Sequence, residues 1–242
     1  MWYAAELYRD KKELKNAMPY YEAIVAKAPN KHAEASMVQA ARYYYFEQKN
    51  YARAIGYYQG LAGAASSQEN KLEAMRGIVR CQYYSGEFKE ANAYAKQLLE
   101  QAGIGTDDKI FANLVLGKNA SLAGNYPEAI NYYTQVANLS KSETGAEARY
   151  GIAACYFAQN KLENAEAAAF ETIKKSGSYV YWVTKSYLLL GDIYHKQKDY
   201  FNAKATYKSV SENATISELK REAVDKLALV EREEKEQSKI SQ

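Results

Sequence analysis

Apolar positions recur along this chain at offsets of three, four and three residues, inside a motif that returns six times. Residues 50–61 (NYARAIGYYQGL) and 125–136 (NYPEAINYYTQV) are the most alike. Weaker copies stand at 13–24 (ELKNAMPYYEAI), 87–98 (EFKEANAYAKQL), 161–172 (KLENAEAAAFET) and 199–210 (DYFNAKATYKSV). Their second residues, Leu14, Tyr51, Phe88, Tyr126, Leu162 and Tyr200, are separated by 37, 37, 38, 36 and 38 residues, a period near 37. Three positions on comes an alanine every time: Ala17, Ala54, Ala91, Ala129, Ala165 and Ala203. Four further on stand Tyr21, Tyr58, Ala95, Tyr133, Ala169 and Tyr207, and three beyond those Ile24, Leu61, Leu98, Val136, Thr172 and Val210. These offsets trace one face of a 3.6-residue helix, so each copy predicts an amphipathic helix.

A partner helix is expected just upstream of each copy. VTKSYLLLGDIYHKQ carries Tyr187, Leu190, Gly191 and Tyr194 on one face, and IFANLVLGKNASLAG places Leu116 and Gly117 alike. RGIVRCQYYSGEF and YGIAACYFAQNKL align Gly77 with Gly151 and Cys81 with Cys155, each pair 74 residues apart. The unit is therefore helix, short turn, helix, and the fold class is all-α. Six pairs are expected near 1–29, 33–66, 68–103, 107–140, 143–176 and 178–215, all within 1–216. The small residues are expected to let two backbones approach, with large aromatics filling the space between units. Arg42 and Val79 stand where a small residue is expected, which predicts a wider crossing or a one-residue offset. Pro19, inside a second helix, removes one backbone donor and predicts a slight bend.

A small residue in the first helix (Ala5, Gly117, Ala153, Gly191), a tyrosine three later (Tyr8, Tyr156, Tyr194), the six alanines, and aromatics such as Tyr58 and Tyr133 resemble the tetratricopeptide repeat (TPR). Pro29 falls where that family often ends its second helix. The period is about three longer than the usual ~34 residues, and the polar connectors AGAASSQEN, QAGIGTDDK and NLSKSETG are the expected site of the excess. The resemblance implies a right-handed superhelical solenoid of antiparallel pairs, about thirteen helices counting a C-terminal one. That helix is expected at 217–236 as a cap, with Leu219, Ala223, Leu227 and Val230 on one side, followed by a frayed tail at 237–242. Met1 to Ala5 begin inside the first helix of a unit. A chain cut from a longer array, or one that self-associates at this end, is expected.

Composition excludes more than it selects. The chain has 32 basic and 29 acidic residues, net +3, which is no footprint for nucleic acid. Two cysteines without CxxC spacing predict buried thiols rather than zinc or redox chemistry. His32 and His195 lack metal-ligand spacing, and no nucleophile elbow or phosphate loop occurs. No cofactor, metal, catalytic residue or enzymatic activity is expected. No apolar run is long enough to insert in a bilayer, and the N-terminus lacks a signal-peptide layout. The long period and the Tyr, Asn and Lys content also resemble bacterial cell-envelope TPR proteins, including those serving Tol-Pal function or outer-membrane assembly. A periplasmic setting with the leader absent, or a cytoplasmic one, follows.

In TPR proteins the first helices line a concave surface where ligands bind. Carried onto this chain, the candidates are Gln39 and Tyr43, then Arg76, Arg80 and Tyr83, then Lys118. Tyr150 and Phe157 follow, and then Lys185, Asp192 and His195. Arginine forks suit carboxylates, and aromatic faces supply contact area at low entropic cost. The Lys and Asn set that clamps chaperone tails is not reproduced. The expected function is a non-enzymatic scaffold holding an extended peptide or a partner's helix. The alternative is a carbohydrate or peptidoglycan binder using Tyr43, Tyr83, Tyr150 and Phe157 as platforms. An RNA reader would need regular polar readers in every unit, and those places are irregular.

Overall fold

The computed structural model describes residues 1–240, with side chains to Gln237. The described residues form thirteen α-helices: α1 Trp2–Asp10, α2 Leu14–Val25, α3 Ala33–Arg42, α4 Tyr51–Ala64, α5 Gln68–Ser85, α6 Phe88–Leu99, α7 Thr106–Leu122, α8 Tyr126–Leu139, α9 Glu143–Ala158, α10 Leu162–Lys175, α11 Val180–Lys196, α12 Tyr200–Asn213 and α13 Ser217–Ile240. A π-helical turn, Tyr43–Glu47, extends α3. The fold is all-α and solenoid-like, with successive helices packed antiparallel. Two compact units divide inside α7, residues 1–119 and 120–242, where one array over 1–216 was expected. The expected tail at 237–242 is described only in part: α13 continues to Ile240, and residues 241 and 242 lie outside the described residues. α2 runs through Pro19 without interruption.

The turns inside the pairs share one geometry. Each has a residue in the left-handed region: Lys12, Lys49, Gly86, Gly124, Asn160 and Lys198. The next residue's N–H then reaches back five positions, as in Glu13 to Tyr8 (2.9 Å), Glu87 to Gln82 (2.8 Å) and Asp199 to Tyr194 (2.9 Å). This closure satisfies the orphan carbonyls of a helix end. In the second pair, Asn50 reaches six back, to Tyr44 (2.9 Å). One residue is extra there, and the π turn absorbs it. Of the two anomalies in the sequence, Arg42 is therefore an offset: Ala41, fully buried, takes the small-residue place and Arg42 is exposed. Val79 keeps register and is itself fully buried.

The glycines serve rings rather than backbones, which corrects the expectation. A Cβ on Gly77 would lie 2.3 Å from the Tyr58 ring, one on Gly151 2.8 Å from Tyr133, and one on Gly191 2.3 Å from Tyr207. Gly77 and Gly151 each stand nine residues before their turn residue (Gly86, Asn160) and receive the ring of the preceding helix. At the same register before Lys198 stands Leu189, and the preceding helix offers Ala169 where the others offer tyrosine. Leu189 and Ala169 share one buried cluster. Volume is thus exchanged across the contact: tyrosine on glycine, or alanine on leucine.

Each of these tyrosines also carries a hydroxyl that burial must satisfy. Tyr21 donates to Glu6 Oε1 (2.7 Å) and Tyr207 to Asp192 Oδ1 (2.6 Å), each across 15 residues. Glu22 Oε1 accepts from Tyr44 (2.7 Å), Tyr57 (3.1 Å) and Arg53 (2.9 Å). Tyr194 donates to Glu166 (2.9 Å). Burial first, and the adjoining carboxylate second, push the Tyr44 and Tyr194 phenols up to about 12. Tyr21 and Tyr207 are raised further by the same causes.

Cys81 and Cys155 are buried free thiols, and burial pushes Cys81 up to about 12. α13 buries Leu219, Ala223 and Val230 and adds to α11 an ion pair, Lys185 with Glu222 (3.4 Å), and a hydrogen bond between His195 Nε2 and Glu233 (2.8 Å). Ser217, read as a cap, is the first helical residue instead.

Gly151→Ala is expected to destabilise by about 1–3 kcal/mol through overpacking against Tyr133. Tyr133→Ala combined with Gly151→Leu, which copies the Ala169–Leu189 pairing, should cost less than the sum of the two single changes in urea unfolding. Additive costs would refute the volume exchange.

The tyrosines set an alkaline limit. A phenol whose folded value is raised contributes fully below its unfolded value of about 10 and is lost as pH rises through the folded one. Urea midpoints should therefore stay level to about pH 9 and fall above about pH 10. Tyr207→Phe should make that fall shallower; an unchanged slope would remove Tyr207 from the account.

Candidate functional site

The first unit contains a polar groove whose walls are α3, α5 and the start of α7. Its largest part, about 770 Å³, lies between α3 and α5 and includes Glu34, Gln39, Arg42, Glu69, Asn70, Glu73 and Arg76. A second part, about 440 Å³, is bounded by Arg76, Arg80 and residues 105–108. A smaller recess of about 260 Å³ sits over Gly77 and Tyr58. All three share Glu73 and Arg76 as walls.

Charges here are largely matched between neighbouring first helices. Arg42 Nε donates to Glu73 Oε1 (2.7 Å), and Arg76 Nε to Asp108 Oδ2 (2.8 Å). Asp108 is almost wholly buried and also accepts from the Gly105 N–H (3.2 Å), capping α7 from its third position. A buried carboxylate persists only with such compensation. Glu34 accepts from Asn70 Nδ2 (2.7 Å) and the Ser66 N–H (3.1 Å), and these bonds, Asn70 first, hold its carboxyl below the ordinary value.

Several polar side chains in the groove make no hydrogen bond among the described residues: Lys31, Gln39, Glu69, Arg80 and Asp107. Arg80 comes only within 4.0 Å of Asp108 and lays its guanidinium 5.2 Å over Phe111. It makes no side-chain hydrogen bond among the described residues. Gln39, half-buried, makes none either.

The sequence candidates fall in both units. In the first, Arg80, Phe111, Tyr83 and Lys118 form a chain of contacts: Tyr83 meets Phe111 at 5.8 Å and Phe88 at 5.9 Å, and Lys118 lies 5.5 Å over the Tyr83 ring. Tyr43 belongs to the π turn, edge-on to Tyr44 (5.4 Å), and accepts from Gln48 Nε2 (3.1 Å). In the second, Tyr150 packs 5.5 Å from Trp182, and burial raises its phenol. Phe157 lies beneath Lys196 Nζ at 5.0 Å. Asp192 accepts from both Tyr207 and Lys226 (2.6 and 2.5 Å), and His195 pairs with Glu233.

Sequence reasoning missed Arg42, Glu73 and Asp108 as groove walls. A signal existed, because Arg42–Glu73 and Arg76–Asp108 pair opposite charges 31 and 32 residues apart, nearly one repeat. No group of three or more His, Cys, Asp or Glu among the described residues is placed to hold a metal. No helix among the described residues is long and apolar enough to cross a membrane.

Residues 114–180 and 184–213 match family models of the tetratricopeptide repeat. No curated protein matches the sequence. Among solved structures, the apo form of RapI is similar with a TM-score of 0.67 and 16% identity over 87% of this chain, which spans only 63% of that one. YrrB, described as a TPR protein with an unusual peptide-binding site, gives 0.59 at 16% identity over 85% of this chain and 97% of its own. A tetratricopeptide repeat protein from Parabacteroides merdae gives 0.52 at 16% over 93% and 95%. At such identity these likenesses concern the fold. The period read from six alanines is the period of the helix pairs, and residues 114–180 and 184–213 carry tetratricopeptide repeats.

Proposed function

We propose that the chain is a non-enzymatic interaction scaffold whose first unit binds an extended peptide segment bearing an acidic side chain. The observation that carries this reading is Arg80, a half-buried guanidinium shared by two parts of the groove that makes no side-chain hydrogen bond among the described residues, with Gln39 alike. Lys31, Glu69 and Asp107 are the other groove charges without an ion pair or a hydrogen bond among the described residues. A guanidinium fork takes a carboxylate through two parallel bonds, and a carboxamide can both donate to and accept from a passing backbone. Glu73 and Asp108 are occupied by Arg42 and Arg76, which leaves Glu69 and Asp107, both exposed, as the carboxylates that a cationic segment would meet. YrrB, with the same fold, is described as having a peptide-binding site. A cell-envelope setting belongs to the same reading and rests on composition. The carbohydrate alternative needs open ring faces, whereas Tyr83 and Tyr150 are packed among other aromatics.

Selection of displayed random decapeptides on the immobilised chain tests the reading. Recovered sequences should be enriched in Asp and Glu. A resynthesised peptide should bind Arg80→Glu about tenfold or more weakly, with a smaller loss for Gln39→Ala. Equal binding to parent and Arg80→Glu, or recovery of no peptide, would overturn it.

A further inference from the structure

We infer that the π turn of the second repeat builds an anchor pocket for one aromatic side chain of the bound peptide, beside the acidic residue taken by Arg80. The inference rests on the peptide reading above and adds a second specificity element to it.

The pocket is the recess of about 260 Å³, room for one large side chain. Its floor is the Tyr58 ring lying against Gly77. Tyr45 and Phe46 form a wall, their rings 4.6 Å apart and edge-on. Phe46 is 58% exposed, an apolar ring left at a polar mouth. Its place there follows from the inserted residue. The other five first helices close their turns five residues back and this one closes six back, so everything beyond the insertion is rotated by about 100° relative to an uninterrupted helix. Single-turn π insertions cost helix regularity and are frequent at functional sites.

Charge and ring geometry select the occupant. Arg42, Arg76 and Arg80 reach the recess against one carboxylate, Glu73, so a lysine or arginine side chain is disfavoured. An aliphatic side chain would fill volume only. An aromatic one also offers its face to a guanidinium and its edge to the wall rings, contacts for which the pocket is already arranged. Because Arg80 borders both the recess and the adjoining part of the groove, the aromatic residue and the acid must lie close together in the partner sequence.

The selection just described supplies the probe. Recovered peptides should carry Phe, Tyr or Trp at a fixed short spacing from the acid. Replacing that aromatic by alanine in a resynthesised peptide should weaken binding to the parent about tenfold or more. With Phe46→Ala, an exposed change checked by circular dichroism, the same replacement should matter less than about threefold, and Phe46→Tyr should restore the difference. Acidic peptides recovered without a spaced aromatic, or an aromatic preference that survives Phe46→Ala, would overturn the pocket and leave the peptide reading standing. Recovery of no peptide would remove both.

Discussion

A tyrosine ring laid on a residue with no side chain is the contact on which this architecture depends. A helix pair presents an apolar face too large to bury by itself, and only a neighbouring pair can cover it. Tyr58 on Gly77, Tyr133 on Gly151 and Tyr207 on Gly191 provide that cover with the largest ring the chain uses in quantity. Phenylalanine would fill the same space. Tyrosine adds a hydroxyl that must be met by an acceptor, and Glu6 and Asp192 meet it from the equivalent first-helix position of the first and sixth pairs. At Tyr207 register is thereby fixed twice, once by volume and once by a hydrogen bond. A one-residue slip would place a Cβ in the ring and strand the phenol.

Five of the six left-handed turns keep the register from pair to pair, because each closes its helix through a hydrogen bond that reaches five residues back. The exception is informative. One added residue before Lys49 would have rotated the whole first helix out of register. The π turn confines the disturbance to Tyr43–Glu47, leaving Ala40 and Ala41 buried upstream. The cost falls at the helix end, where it turns a phenylalanine toward the groove.

Much of the fold was legible because it is written in repeated residues. The six alanines gave period, helix face and pair number, all consequences of one-dimensional spacing. Glycine was misread because spacing shows where a side chain is missing and not what enters the gap: Gly77 and Gly151 admit a ring from the helix before, Gly191 from the helix after. Arg42 looked anomalous because an insertion is invisible until the turn hydrogen bonds are seen. Of the candidates offered by the sequence, Arg76, Arg80 and Gln39 line this groove. Its matched charges were harder to see, since Arg42–Glu73 and Arg76–Asp108 join neighbouring repeats that a single-repeat reading treats as separate.

The same register explains why Arg80 is available at all. The residue after the small position is Glu6 in the first pair and Asp192 in the sixth, and in both it is closed off by the tyrosine of its own second helix, Tyr21 or Tyr207. In the third pair that residue is Arg80, and its second helix offers Ala95 where the first and sixth offer tyrosine. An arginine could not accept from a phenol, and no phenol is supplied. The third pair has a base in place of the acid and no ring opposite it, and the side chain stands in the groove with hydrogen bonds still to make; the second and fourth pairs have Arg42 and Lys118 at this position and keep Tyr58 and Tyr133.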